Sequence, residues 1–497
     1  MLYLKILKEK YNMIIGYVGI ILIGLGITLL LPLLILPAYP QEIGTAKYFL
    51  ISAMITVAVG FIASRRLKLK KTTNLTFQQG GIIVILSWFI TALLSTLPFI
   101  LSGMLNFTQA TFETVSGWTT TGLSVVDVTE APNTFLLWRS IMQFFGGAGI
   151  TVVMVSAIIG PNGQGLYNAE GRTDKLLPNV RKSTKLIMTI YSGYVISATI
   201  LYILAGMHWF DAINHAIAAL STGGFSTKAD SIGAYNSPLI EALTIVFMLL
   251  GTTNFGVHFL LLKGEFKSVL RNGEVRILGF LLALTIPVVA IGALLPLYGT
   301  LTKSFRITAF ELVSALSTTG FSTVGYQEWA TSAVFIMIVL MIIGGGVGST
   351  AGGVKLYRVY LLFKSLWWEL KGYLLPSKSV RQNYVWRSEG KYYVEQSHII
   401  QTANFAMIYM LTYAIGVLIF LFYGYPLKES MFEFASSLST VGLSMGITSP
   451  DAPVGILWTQ IIGMMLGRLE FIVIFFASIK LIKDIRIMLL SKEKIVQ

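Results

Sequence analysis

Cysteine is absent from this chain of 497 residues, so the chain can form neither a disulfide framework nor a thiolate metal site. Charged residues are scarce as well, at 12% of the sequence, whereas an average soluble domain carries about 25%. Histidine occurs four times, and neither clustered carboxylates nor a Ser/His/Asp arrangement stands out. These shortages argue against a metalloenzyme or a hydrolase, and we expect neither enzyme activity nor an organic cofactor.

Apolar sequence is what the chain has in abundance. Hydrophobic residues make up 55% of it, and they collect in ten runs of about 20 residues, the length that a helix needs to cross a bilayer. The first run follows three lysines but is too long for the apolar part of a signal peptide. The ten runs lie near residues 13–36, 46–64, 82–102, 136–159, 186–206, 238–262, 277–298, 333–354, 399–423 and 455–479. The sequence therefore predicts an all-α integral membrane protein whose surroundings are a lipid bilayer.

Four copies of a short motif, Thr-x-Gly-Leu/Phe-Ser, recur about every hundred residues, and such a period marks repeated structural units. Each copy follows a semi-apolar segment that is too short to cross a membrane, near residues 108–119, 210–221, 306–317 and 429–439. A short helix that enters the membrane and returns through a glycine-containing loop fits this pattern, since irregular backbone at membrane depth must be enclosed by protein or reached by water. We predict four pseudo-symmetric repeats of helix, pore helix, filter loop and helix around one pore, preceded by an N-terminal pair of transmembrane helices.

The predicted boundaries follow from these repeats. Residues 1–72 form the N-terminal helix pair, 73–170 the first pore repeat, and 171–270 the second. Residues 271–395 form the third repeat with a gate loop and a basic cytoplasmic loop, and 396–497 form the fourth repeat and the C-terminal tail.

The loops have the chemistry of a cation filter. Backbone carbonyls and hydroxyls from four such loops can replace the water shell of a small cation, and glycine permits the backbone twist that presents carbonyls without a side-chain clash. The predicted filter comprises the first three residues of each copy: Thr120, Thr121, Gly122, Thr222, Gly223, Gly224, Thr318, Thr319, Gly320, Thr440, Val441 and Gly442. The motif thus predicts a cation-conducting pore built from one polypeptide.

Basic residues set the orientation. Thirty of the 37 Lys and Arg residues fall in the N-terminus, the C-terminal tail and the segments 65–71, 172–185, 263–276 and 355–391. The positive-inside rule makes this side cytoplasmic, which places both termini in the cytoplasm. The net charge of +14 then describes the inner face of the membrane and gives no reason to expect nucleic acid as a partner.

Acidic residues predominate on the opposite side, where a mouth of one sign concentrates counter-ions. Asp127, Asp230 and Asp451 follow their motif glycines within ten residues and are expected to interact most with a permeating cation. Three glutamates, Glu113, Glu311 and Glu433, each lie nine residues before a motif glycine, where His215 stands in the second repeat. We expect these carboxylates in the first turns of the pore helices, favoured by the positive end of the helix dipole, and not as cation ligands.

The arrangement resembles the Trk/Ktr/HKT superfamily of potassium transport proteins, and the extra N-terminal helix pair resembles its TrkH branch. Segments 143–150, 166–170 and 254–259, and the glycine-rich run 344–355, carry the likeness over almost the whole chain. The resemblance implies that Gly122, Gly224, Gly320 and Gly442 are the filter glycines, and that potassium is preferred, because members with serine in the first loop tend toward sodium. It also implies a homodimer and a cytosolic TrkA-like nucleotide-binding regulator, which we expect on loops 172–185, 263–276 and 355–391.

A gate is predicted from two features. The run Gly344, Gly345, Gly346, Gly348, Gly352 and Gly353 interrupts the last helix of the third repeat, and each glycine costs about 1 kcal/mol in a helix interior. A helix-packing face of small residues is the alternative, whereas a phosphate loop lacks its strand and its Lys-Ser/Thr ending. Arg468 is expected to face the aqueous pathway or, alternatively, to pair with Glu470. The resemblance implies that the glycine run obstructs the pore and that Arg468 lines it; Lys355 is either a second such charge or a snorkelling lysine.

The predicted function is therefore potassium uptake across the cytoplasmic membrane through a gated four-repeat pore. Two alternatives stay open: the potassium-binding subunit of an ATP-driven pump, and a sodium-coupled or sodium-selective transporter. The sequence does not separate a channel from an ion-coupled symporter.

Overall fold

A computed structural model describes residues 2–66, 77–149, 180–374, 382–469 and 471–496, and these ranges are predominantly helical. Within these ranges, six helices are long and apolar enough to cross a membrane, and the number rises to eight if each of two interrupted helix pairs counts as one span. Helices are expected here, since a helix satisfies its own backbone hydrogen bonds where no water is available.

In chain order the helices are α1 (Leu2–Thr28), α2 (Ala46–Ser64), α3 (Phe77–Ser95), α4 (Leu97–Leu101), α5 (Phe107–Trp118), α6 (Asn133–Ala148), α7 (Val180–Leu204), α8 (Trp209–Leu220), α9 (Pro238–Thr252), α10 (Phe255–Leu262), α11 (Phe266–Arg271), α12 (Gly273–Val289), α13 (Leu295–Tyr298), α14 (Leu301–Ser317), α15 (Thr331–Ile343), α16 (Leu356–Tyr373), α17 (Gln396–Phe422), α18 (Leu427–Leu438), α19 (Val454–Arg468) and α20 (Phe471–Val496). Strands β1 (Tyr384–Arg387) and β2 (Gly390–Tyr393) form one antiparallel hairpin between α16 and α17. This hairpin was not predicted from the sequence.

The chain divides into two compact units. The first comprises residues 1–114, 131–189 and 469–497, and the second comprises residues 115–130 and 190–468. All four motif loops and the glycine-rich run belong to the second unit, which therefore contains the predicted site.

In the first unit, two glycines allow α1 and α2 to cross closely. A Cβ at Gly19 would lie within 3.0 Å of the Gly60 carbonyl and the Ser64 amide, and a Cβ at Gly60 would be equally close to the Gly19 carbonyl. Small residues at a crossing let two apolar helices approach backbone to backbone, which is how helices associate in lipid. Gly19 and Gly60 thus allow the two N-terminal helices to pack backbone to backbone.

In the second unit, the short pore helices lie where the sequence predicts them, as α8, α14 and α18, with α14 beginning several residues earlier than expected. Helix α14 packs against α9 of the preceding repeat and α15 of its own, and α18 packs likewise against α15 and α19. Each of these two pore helices is therefore held between the second helices of two successive repeats.

Two of the predicted spans are interrupted in the second unit. The run 238–262 is not one straight helix, because α9 and α10 meet at a bend of 109°. The run 333–354 contains only the thirteen-residue helix α15, after which the backbone is non-helical until α16 begins at Leu356. The break expected at the glycine run is confirmed, while the bend at residues 252–255 was not predicted.

Candidate functional site

Each motif loop begins at the C-terminal end of a short helix, and the junction is built alike four times. The amide of the second motif residue donates to a carbonyl five residues earlier in every repeat. The pairs are Thr121 to Ser116 at 2.9 Å, Gly223 to Ala218 at 2.8 Å, Thr319 to Ser314 at 3.1 Å and Val441 to Ser436 at 2.8 Å. All four pore helices therefore present their C-terminal ends to the motif loops. This end of a helix carries partial negative charge, so it favours a cation.

The loops share one backbone conformation, which is unusual for their composition. The first threonine of every copy is left-handed, with φ of 56°, 51°, 55° and 52° at Thr120, Thr222, Thr318 and Thr440. A left-handed residue other than glycine costs about 1–2 kcal/mol. The same strained conformation at four equivalent buried positions indicates that the surrounding structure imposes it, as is common at functional sites.

The close packing around the third motif residue explains why this residue is glycine in all four copies. A Cβ at Gly122 would lie within 3.0 Å of the carbonyl oxygen of Gly223, the second motif residue of the next repeat. The same relation joins Gly224 to the Thr319 carbonyl, Gly320 to the Val441 carbonyl and Gly442 to the Thr121 carbonyl. The contacts run from repeat one to two, three, four and back to one, so the four loops form a closed ring of backbone.

Serines in the pore helices, which the sequence analysis did not single out, support three of the loops. Ser116 and Ser314 donate to the carbonyls of Leu123 and Phe321 at 2.5 and 2.6 Å. The hydroxyl of Ser436 accepts from the Gly442 amide at 3.0 Å. Their recurrence six residues before the motif glycine was the available signal; the second repeat has Ala218 there.

The glycine-rich loop, residues 344–355, lies against the first threonine of three motif loops. Gly352 donates its amide to the Thr318 hydroxyl at 2.8 Å, and the Thr222 hydroxyl lies 3.2 Å from that of Thr350. A Cβ at Gly352 would also collide with the hydroxyl of Thr440. The loop therefore lies against the threonines at which the filter begins.

Two cations hold this loop. Arg468 donates to the Thr350 carbonyl, and Lys355 donates to that of Ala351. Arg468 is half-buried and is the last residue of α19. Its alternative partner, Glu470, lies outside the described residues, as do 150–179 and thus the segment 166–170.

The pore-helix acids have a role that was not predicted. Glu433 accepts from the amides of Met445 and Ile447 at 2.9 and 3.0 Å, and from the hydroxyls of Ser444 and Thr448. Glu433 lies six residues after the start of α18 at Leu427, and its interaction with the helix dipole stays a prediction. Its carboxylate fixes the segment that follows the filter motif.

The equivalent residues of the second and third repeats also contact the segment that follows the motif glycine. Glu311 accepts from the Thr323 amide and hydroxyl, both at 2.7 Å, and from the Tyr326 hydroxyl at 2.5 Å. His215 places Nε2 2.9 Å from the Ser226 hydroxyl. In the first repeat the buried Glu113 instead pairs with Arg139 at 2.6 Å. Glu311 lies ten residues after the start of α14, so the expected position in the first turns was wrong there, whereas Glu113 and His215 lie six residues after the starts of α5 and α8.

The acidic residues that the sequence predicts on the outer side differ in their exposure and in their hydrogen-bond partners. Arg306 pairs with Glu241 through two bonds of 2.7 and 2.6 Å. Asp127 is exposed, and the Thr129 side chain, which donates to it at 2.6 Å, lowers the pKa of its carboxyl below the ordinary value. Asp230 and Asp451 are exposed as well. Their interaction with a permeating cation stays a prediction.

Comparison with known proteins gives consistent results along the whole chain. The sequence model of the TrkH family, described as a cation transport protein, matches residues 47–486. An uncharacterized cation transporter of Methanocaldococcus jannaschii is 30% identical, with 96% of this chain and 99% of that protein covered. The Trk system potassium uptake protein TrkH of Escherichia coli K12 is also 30% identical, over 93% and 96%.

A solved structure agrees. The crystal structure of the potassium transporter TrkH from Vibrio parahaemolyticus matches with a TM-score of 0.81 and 27% identity, covering 94% of this chain and 98% of that one. The resemblance and the helical membrane fold expected from the sequence are thereby confirmed.

Proposed function

The chain belongs to the TrkH family of cation transport proteins, and on this premise we propose that it carries potassium across the cytoplasmic membrane through the ring of its four filter loops. The observation that carries the proposal is the closed ring of contacts, in which each motif glycine meets a carbonyl of the next repeat. A ring of backbone carbonyls at the negative ends of four helices suits a monovalent cation that sheds its water.

Potassium is proposed as the cation on two grounds. All four filter positions are glycine, namely Gly122, Gly224, Gly320 and Gly442, so no side chain alters the carbonyl geometry of any quadrant. The relatives from Escherichia coli and Vibrio parahaemolyticus are named for potassium uptake or transport. Filter residues and the potassium ion thus form the proposed site.

The glycine-rich loop and Arg468 form the proposed gate. Its support is the position of Gly352 against Thr318 together with the bond from Arg468 to the Thr350 carbonyl. A loop in this place blocks the inner end of the filter, and a guanidinium beside it opposes a resident cation. Opening would require the loop to separate from the filter threonines Thr222 and Thr318, and Arg468 to release the Thr350 carbonyl.

Regulation is proposed to come from a cytosolic TrkA-like nucleotide-binding subunit on the basic loops 172–185, 263–276 and 355–391, with both termini cytoplasmic and the pore subunit a homodimer. The charge distribution supports the orientation; the partner and the dimer rest on the family alone. Subunit association with an ATP-driven pump is disfavoured by the N-terminal helix pair and by Arg468.

The test is ion flux by the purified protein in liposomes, with opposed gradients of potassium, rubidium and sodium. We expect potassium and rubidium to pass and sodium to be largely rejected. Equal sodium flux would contradict the filter assignment and favour the sodium-selective alternative. Varying the membrane potential and the sodium or proton gradient in the same liposomes separates passive flux from ion-coupled symport.

A further inference from the structure

The bend between α9 and α10 leaves backbone groups of two helix ends without partners in their own helices. Buried groups of this kind need partners elsewhere, because an unpaired amide or carbonyl is costly away from water. Several of these partners belong to the glycine-rich loop, residues 344–355. The Gly251 carbonyl accepts from the Thr350 amide at 3.3 Å and hydroxyl at 2.9 Å, and the Thr252 carbonyl accepts from the Gly346 amide at 2.9 Å.

The start of α10 bonds to the same loop. The Phe255 amide lies 3.5 Å from the Gly348 carbonyl. The glycine-rich loop of the third repeat thus replaces the hydrogen bonds that the second repeat loses where its helix bends. Backbone groups at the bend and backbone groups of the loop therefore satisfy each other's hydrogen bonds.

Asn254 stands at the centre of this junction. Its Oδ1 accepts from the Gly256 amide at 2.6 Å and so caps α10, while its Nδ2 donates to the Val347 carbonyl. The Val347 amide donates to Glu274 at 2.8 Å. One buried side chain therefore caps a helix with one end of its amide and holds the glycine-rich loop with the other.

We propose that Asn254 is a positioning residue of the gate, which ties the glycine-rich loop of repeat three to the bent helix of repeat two. Arg468 binds the loop at Thr350, and Asn254 binds it three residues earlier, at Val347. Movement of α10 changes the position of Asn254, so a displacement of the second repeat is passed to the gate. The inference rests on the proposed function, because it takes the glycine-rich loop to be the obstruction.

The capping and holding roles can be separated by substitution. Serine is as good an N-cap as asparagine, so Asn254→Ser retains an acceptor for the Gly256 amide but has no amide donor for Val347. The matched control is Asn106→Ser, because the exposed Asn106 precedes α5 and its Oδ1 accepts from the Gln109 amide at 3.0 Å. Both variants make the same chemical change at an N-cap, and of the two residues only Asn254 contacts the glycine-rich loop in the part of the chain that the structure describes.

Basal rubidium flux in liposomes without any partner is the first measurement. Loss of one net hydrogen bond that favours the closed state should raise the open population, and thus the flux, about two- to tenfold in Asn254→Ser. Asn254→Asp keeps the cap and places a carboxylate against the Val347 carbonyl, so we expect a larger rise. Asn106→Ser should stay at the wild-type flux, and the potassium to sodium ratio should be unchanged in all three.

A second measurement does not depend on flux. The chain contains no cysteine, so Ser349→Cys introduces a single reactive thiol into the buried part of the loop. Its modification by a small cationic thiol reagent should accelerate when combined with Asn254→Ser but not with Asn106→Ser. A merely structural role for Asn254 would not move this rate selectively.

The outcomes distinguish the two levels of the argument. Wild-type flux and thiol reactivity in both Asn254 variants, alongside a leaking Arg468→Ala, would overturn the role of Asn254 and leave the gate in place. An equal rise in Asn254→Ser and Asn106→Ser would also overturn it, because an asparagine-to-serine change at any N-cap would then explain the effect. A tight Arg468→Ala together with tight Asn254 variants would reject the gate itself.

Discussion

Replacing Arg468 with alanine should make the pore leak. The guanidinium donates to the Thr350 carbonyl of the glycine-rich loop, and a hydrogen bond to a charged group is worth about 1.5–3 kcal/mol. Its charge adds a barrier to a passing cation of about 4 kcal/mol at a separation of 4 Å and an effective dielectric constant near 20, or about 2 kcal/mol at 8 Å. Loss of the hydrogen bond alone should raise the open population about tenfold to a hundredfold.

The assay is basal rubidium uptake into liposomes that contain purified protein and no regulator. Selectivity over sodium should be largely retained in Arg468→Ala, because the filter loops keep their own contacts. Arg276→Ala is the matched control: Arg276 also donates to a backbone carbonyl, that of Leu270 at 2.8 Å, but lies exposed and touches neither filter nor gate. We expect its flux to equal that of the wild type.

Replacing Arg468 with a neutral hydrogen-bond donor separates the contribution of its charge from that of its hydrogen bond. Arg468→Gln can still donate to Thr350 but carries no charge. A leak as large as that of Arg468→Ala would assign the barrier to the charge, and a tight pore would assign it to the bond. Loss of flux in a folded, membrane-inserted Arg468→Ala would refute the reasoning, since the arginine would then support the pore instead of closing it.

Three further predictions follow from the filter and the cytoplasmic loops. Gly122→Ser should raise the permeability of sodium relative to potassium, measured as a shift in reversal potential, because its Cβ would displace the Gly223 carbonyl; an unchanged ratio in serine variants of all four filter glycines would remove the filter assignment. Glu433→Ala should lower the free energy of unfolding by at least about 2 kcal/mol, measured by thermal denaturation in detergent, because the donors in residues 444–448 lose their acceptor; a wild-type midpoint would contradict the bracing role. Neutralising the basic residues of loop 355–391 should abolish pull-down of a TrkA-like regulator, and retained binding would exclude that loop as the docking site.

Local composition was sufficient to predict the pore helices and the break in the third repeat. Segments such as 210–221 are too short to cross a membrane, and Gly344–Gly353 contains too many glycines for a stable helix. Both signals lie within the segment they describe. The structure accordingly has α8 at Trp209–Leu220 and the end of α15 at Ile343.

The bend at residues 252–255 could not be predicted in the same way. The run 238–262 is apolar except for Glu241, His258 and a few small or amide residues, so hydropathy indicates one straight span. The carbonyls of Gly251 and Thr252, at the end of α9, are satisfied by a loop about a hundred residues later in the chain. A pattern within one segment carries no information about hydrogen bonds formed at that distance.

The hydrogen-bond partners of the pore-helix acids could not be predicted for a related reason. Glu433 and Glu311 were assigned to the helix dipole because a carboxylate near a helix start is a common arrangement. Their partners are the amides and hydroxyls that follow the motif, such as those of Thr323 and Met445. Since the chain reverses direction at the filter, residues about a dozen positions apart meet, and neither helical nor strand periodicity reports that contact.

The four loops are equivalent in backbone but not in what their threonine hydroxyls bind. Thr222 and Thr318 contact the glycine-rich loop, whereas within the described residues the buried hydroxyls of Thr120 and Thr440 have no hydrogen-bond partner. A single loop from one repeat cannot cover a fourfold ring symmetrically, so the closed state must engage some quadrants and leave others. Gly352 marks the limit of this fit: a Cβ there would strike both the Thr440 hydroxyl and the Ser439 carbonyl, so only glycine lets the loop bind Thr318 while it passes the fourth quadrant.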